Sequence, residues 1–99
     1  MEITSEILTK FKKRMKISHS IEDDALKDIL SSSAEDIKAK CGSFTIEKNE
    51  RARELVFERS RYVYNDALEF FNDNFASQMT SLALELYMPT WEILDETNV

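Results

Sequence analysis

His19 and Cys41 are the readiest catalytic side chains in this sequence, because each type occurs only once. A thiol–imidazole pair could perform nucleophilic chemistry if a third group oriented the base. His19 falls in the polar stretch Ile17-Ser-His-Ser20, where histidine serves more often as a surface or capping residue. Cys41 falls on the apolar face of a helical pattern, which marks a buried structural thiol. No orienting group is evident for either. Glu22, Asp23 and Asp24 could take a hard cation, but a calcium loop also needs spaced oxygens and a glycine at its turn. These three acids read more simply as the first turn of a helix. No glycine-rich phosphate loop, nucleophile elbow or paired cysteine–histidine spacing is present. No enzyme, cofactor or metal site is expected.

The residues that remain are suited to binding. Lys10, Lys12, Lys13, Arg14 and Lys16 crowd one short segment. At the C-terminal end of a helix such cations stabilise the dipole by roughly 0.3–1 kcal/mol each. In a ring of subunits the same cluster would become a charged collar able to face phosphate. Tyr62, Tyr64, Phe70, Phe71 and Phe75 follow helical spacing and read first as core. Trp91, Ile93 and Leu94 lie in an acidic segment after Pro89. They either pack back on their own domain or dock into a neighbour, where tryptophan is enriched among hot spots.

Four helical patterns must position these groups. Ile7, Leu8, Phe11 and Met15 recur at helical spacing, predicting a helix from Ser5 to about Met15 capped by Thr4 or Ser5. Ser20 and Asp23 resemble a capping box for a second helix, along which Leu26, Ile29, Leu30, Ser33, Ile37 and Cys41 share a face. Gly42, the only glycine, stands where a left-handed terminating residue is expected. Phe44 and Ile46 alternate with polar residues, as in a short extended segment folded over the core. Asn49 then caps a long third helix, predicted from Glu50 to about Asn72. Ala52, Val56, Val63, Ala67 and Phe70 would share one of its faces, and Phe57, Tyr64, Leu68 and Phe71 an adjacent one. That is more apolar surface than an ordinary surface helix buries, and it points to subunit packing. Asn72-Asp73-Asn74 predicts a kink or stop. In residues 75–88, Phe75, Met79, Leu82 and Leu86 fit helical spacing while Leu82, Leu84 and Leu86 alternate like a strand, and a helix ended by Pro89 is the favoured reading.

Composition narrows the class. Ninety-nine residues with one glycine and one proline suit a single all-α domain, not a β fold that needs a turn residue at every reversal. We expect a small helical bundle with a long central third helix over residues 1–88, and a short C-terminal tail over 89–99. No apolar run reaches the roughly 20 residues of a membrane span, and the N-terminus lacks a signal-peptide pattern. The lone cysteine fits synthesis in a reducing cytosol. A net charge of −6 disfavours wholesale nucleic-acid binding.

Three segments together carry a resemblance. A short helix leads into Leu8-Thr-Lys-Phe-Lys-Lys-Arg-Met-Lys-Ile-Ser-His19. Ile21-Glu-Asp-Asp-Ala-Leu-Lys-Asp-Ile-Leu30 opens a helix that closes at Lys40-Cys-Gly42. Arg61-Tyr-Val-Tyr-Asn-Asp-Ala-Leu-Glu-Phe-Phe71 follows. Over residues 3–86 this order resembles the head–tail connector proteins of tailed bacteriophages, especially siphophages of Gram-positive hosts. The resemblance implies a structural adaptor, or head-completion protein, that forms a ring under the portal after DNA packaging. Such a ring extends the DNA channel and receives the neck (stopper) or tail component. Its implied location is the head–tail interface of the virion, with assembly in the host cytoplasm. Its implied partners are the portal protein, the downstream neck or tail protein, other copies of itself, and packaged DNA passing without sequence-specific contact. No membrane is involved.

Under this resemblance Phe57, Tyr64, Leu68 and Phe71 would serve subunit packing. Trp91, Ile93 and Leu94 would dock on the portal or a neighbour, and Lys12, Lys13, Arg14 and Lys16 would face the DNA channel. The tail after Pro89 is shorter than in many such proteins. The alternative is a small acidic helical regulator that binds a host or phage protein, as an antitoxin or a mimic of DNA charge would. A regulator of that kind needs a continuous acidic stripe, whereas acids alternate with Arg and Lys along the third helical pattern.

Overall fold

The computed structural model describes residues 2–87. It contains four α-helices and one short 3-10 turn, with no strand among the described residues. The expected all-α bundle is therefore present. Helix α1 (Ser5–Met15) starts where Thr4 Oγ1 accepts from the Ile7 amide at 3.2 Å, and it buries Ile7, Leu8 and Phe11. It ends on Lys16, whose φ of 60° is left-handed. The Lys16 amide donates to Lys13 O at 3.2 Å and the Ile17 amide to Lys12 O at 2.9 Å, the two crossed bonds of a Schellman motif.

Helix α2 (Asp23–Cys41) buries Leu26, Leu30, Ser33, Ala34 and Ile37. The expected Ser20 capping box does not form. Ser20 instead offers its backbone carbonyl to the Asp23 amide at 3.1 Å, closing a turn that puts Glu22 at the cap with no side-chain bond. Gly42 ends α2 with φ 120° and ψ 172°, which is not the left-handed helical geometry expected of it. That region is essentially restricted to glycine, and a Cβ there would meet Leu86 Cβ at 3.4 Å. Phe44 and Ile46 then turn inward and are buried, as their alternation predicts.

Helix α3 (Glu50–Tyr64) is capped by Asn49 Oδ1, which accepts from the Ala52 amide at 3.0 Å. It stops eight residues short of the predicted end at Asn72. Asp66 adopts φ 56°, its amide donates to Val63 O at 3.1 Å, and the Ala67 amide donates to Tyr62 O at 2.8 Å. This second Schellman motif uses an aspartate, a residue whose short polar side chain makes the left-handed position tolerable. A 3-10 turn at Leu68–Phe70 reverses the chain into α4 (Phe71–Tyr87). The kink expected at 72–74 lies one residue later, at Phe75, where φ is −121°.

Helices α2, α3 and α4 pack on one another, and α1 lies against the α2–α3 pair. Phe11 of α1 meets Phe57 of α3 with ring centroids 5.6 Å apart. Phe71 stacks on Phe75 at 5.1 Å, and both rings meet Tyr62 edge-on at 5.8 and 5.7 Å. This trio fastens the end of α3 to the start of α4. Between α2 and α3 runs a polar seam. Arg59 donates to the fully buried Ser33 Oγ at 3.0 Å, and its Nε lies 3.1 Å from Asp36 Oδ2. Lys40 Nζ reaches the same oxygen at 3.0 Å, so this buried atom is ion-paired by two cations. The seam fixes how α2 and α3 slide against each other, because a shift would strand charged groups in the interface.

Candidate interaction surface

Helix α2 separates the two side chains with catalytic potential. His19 precedes its first turn and Cys41 is its last residue, so the length of α2, about 27 Å, lies between them. His19 is exposed, with Nε2 3.9 Å from Glu22 Oε2. Cys41 is half-buried, donates to Met79 O at 3.4 Å, and burial pushes its thiol pKa up. Neither location activates the group. Among the described residues, no three His, Cys, Asp or Glu side chains gather to hold a metal ion. No described helix is long and apolar enough to cross a membrane.

The basic segment is partly neutralised by the fold. Lys12 Nζ binds Asp23 Oδ1 at 2.7 Å, joining the end of α1 to the start of α2. Arg14 clasps Glu54 with two bonds, Nη1–Oε1 at 3.0 Å and Nη2–Oε2 at 2.7 Å, while its guanidinium lies over Phe57 at 5.8 Å. The hydrogen bonds from Arg14 hold the Glu54 carboxyl below the usual carboxylate range, and the same pairing raises the Arg14 pKa. Of the four residues expected on a DNA-channel face, Lys12 and Arg14 are thus engaged within the chain. Lys13 and Lys16 remain exposed. No sequence pattern distinguishes these pairs, because their acids lie 11 and 40 residues away.

The residues expected to pack between subunits also divide. Phe57 and Phe71 are 4% and 1% exposed, enclosed by the chain's own helices. Both rings therefore serve packing within the bundle of one subunit. Tyr64 and Leu68 remain 36% and 39% exposed. Tyr64 donates to Glu22 Oε2 at 2.8 Å, a bond that raises the phenol pKa and ties the end of α3 to the start of α2.

Around that link the bundle presents an apolar end. Ile21, 90% exposed, is next to Glu22, which bonds Tyr64, and Phe70 is 56% exposed in the 3-10 turn that follows α3. Exposed Asp66 and Glu69 flank Leu68 in the chain, and exposed Asp24 follows Glu22 by two residues. The Lys12–Asp23 pair brings the end of α1, with exposed Lys13 and Lys16, to the start of α2. Large apolar side chains grouped on a small surface and rimmed by charge mark an interaction site. Ile21 escapes a periodicity analysis because it belongs to no helix. Its signal in the sequence is an apolar residue stranded in an otherwise polar turn.

Trp91, Ile93 and Leu94 lie outside the described residues. The chain leaves α4 at Tyr87, at the opposite end of the bundle, where Glu85 accepts from Asn49 at 2.9 Å and pairs with Arg51 at 3.3 Å. This end also exposes apolar side chains, Leu84 at 56% and Tyr87 at 79%. No protein-family model, curated protein or solved structure matches this chain.

Proposed function

We propose that this chain is a structural head–tail connector of a tailed bacteriophage, assembling as a ring on the portal and joining head to neck or tail. The apolar end formed by Ile21, Tyr64, Leu68 and Phe70 carries the reading, together with the helix order that resembles such connectors. A monomer gains nothing by exposing these side chains, whereas a subunit between two neighbours can cover them. Ring contacts are heterologous and need two different faces, which the apolar end and the tail-bearing end supply. Lys13 and Lys16 are the cations left to face DNA in the channel, and Trp91, Ile93 and Leu94 remain the residues assigned to portal docking.

The test is size exclusion with light scattering, on the protein alone and mixed with the portal protein of the same genome. Co-elution as a ring-sized complex supports the connector. Failure to associate at any portal concentration overturns it and favours the second reading, a small acidic regulator. The carboxylates bordering the apolar end lend that reading support, because they suit one basic–apolar protein partner. A regulator would form a complex of fixed, low stoichiometry with its target.

A further inference from the structure

We propose that the outer face of α4 is a self-association surface, on which a second copy of this chain packs its own α4 in antiparallel register. Ser77, Thr80, Leu84 and Tyr87 are all exposed, Leu84 by 56% and Tyr87 by 79%. Their separations of three, four and three residues set them on one line along the helix, the spacing by which two helices interlock side chains. The line faces away from the bundle, which α4 meets through Phe71, Phe75, Met79, Leu82 and Leu86. The described chain leaves it uncovered.

Charge points to a second copy as the occupant. Charged residues make up 32% of the chain and its net charge is −6, so two copies repel over most of their surfaces. Helix α4 is the exception, with no charged residue from Asn74 to Leu84. Its two acids stand outside that run: Asp73 precedes it, and Glu85 lies about 100° around the helix from Leu84, held by Asn49 and Arg51. Size then sets the direction. The line is small at Ser77 and Thr80 and large at Leu84 and Tyr87. A parallel pair would set large against large and leave the small half open. An antiparallel pair about a two-fold axis near Leu82 sets Tyr87 on Ser77 of the second copy and Leu84 on its Thr80, and symmetry repeats both contacts. Beside Thr80, a groove of about 350 Å³ walled by Ala76, Met79 and Ala83 leaves room for the incoming leucine. The inference stands apart from the connector reading, since it names a contact that the free chain makes with itself.

The test is sedimentation equilibrium of the full chain over a concentration series, at low and at high salt. The expected result is a monomer–dimer equilibrium that tightens with salt, because screening removes the repulsion between two copies of net charge −6 and the contact holds no ion pair to lose. Thr80→Glu and Leu84→Glu should each weaken association by roughly tenfold or more at unchanged helix content, since symmetry places each new carboxylate in the contact twice. Both side chains are exposed in one copy, so neither change enters the core, and either variant carries the test if the other fails to fold. Leu68→Glu combined with Phe70→Glu, at the end bearing Ile21, should leave the dimer intact. A monomer at every concentration would overturn the proposal and assign the face to a different protein. A dimer that salt weakens would overturn it too, as would one indifferent to both α4 substitutions or one dispersed by the changes at Leu68 and Phe70.

Discussion

Phe71 is 1% exposed and lies between Tyr62 and Phe75, so truncating it opens a cavity where α3 and α4 join. Phe71→Ala should lower stability by about 3–5 kcal/mol, read from denaturant unfolding. Tyr64→Ala should cost much less, because its ring is partly solvated and its one polar link is to the half-buried Glu22. Equal losses would mean that the end of α3 is buried in solution by self-association. Glu54 makes a pH-dependent contribution. Its folded pKa is lowered by Arg14, so the stabilisation is complete above the ordinary carboxylate value and is lost as acid takes the pH through the lowered one. Glu54 is more than half exposed, so solvent screening limits the pair to roughly 0.2–1 kcal/mol. Glu54→Gln should remove this amount at neutral pH and nothing in strong acid, measured by melting across the acid range.

Helices α1 and α3 end in Schellman motifs and α2 ends at Gly42, and these backbone devices set their lengths. Gly42 occupies a conformation closed to other residues, with Leu86 packed where a Cβ would be. Gly42→Ala should therefore destabilise by about 1–3 kcal/mol, through strain at the close of α2 and displacement of α4. Lys16 presents the opposite case, a side chain bearing the strain of a left-handed position that glycine accepts freely. Lys16→Gly should raise stability by roughly 0.5–1 kcal/mol, because relief of strain exceeds the added freedom of the unfolded chain. Opposite shifts of melting temperature in these two variants would verify the assignment. If both glycine changes lowered stability, the crossed bonds at Lys16 would not be the terminator of α1.

At the scale of the whole molecule exposed apolar side chains fall at both ends of the bundle. One end carries Ile21, Tyr64, Leu68 and Phe70, and the other carries Leu84 and Tyr87 near the Asn49–Glu85–Arg51 cluster. Leu68→Glu combined with Phe70→Glu places charge on the apolar end without entering the core, since both side chains are already exposed. The double variant should fold and melt like the unsubstituted chain yet fail to co-elute with the portal. Retained co-elution would remove this end from the assembly interface.

Much of this fold is set by local sequence. The spacing of Ile7, Leu8 and Phe11, the Thr4 and Asn49 caps, and the inward alternation of Phe44 and Ile46 are short-range effects, each written in a few neighbouring residues. The end of α3 was not legible in the same way. Apolar periodicity runs without interruption through Asn65-Asp66, and the chain turns there because Tyr62, Phe71 and Phe75 gain more by closing on one another than by continuing a helix into solvent. Tertiary structure alone decided which members of one apolar stripe were buried, since Phe57 met Phe11 whereas Leu68 stayed 39% exposed. It also decided which cations stayed free, because Lys12 and Arg14 met acids brought near only by folding. The sequence determined the helical segments and the Thr4 and Asn49 caps, which depend on neighbours along the chain, but not the cap of α2 or the end of α3. The surface left for a partner depended on neighbours in space.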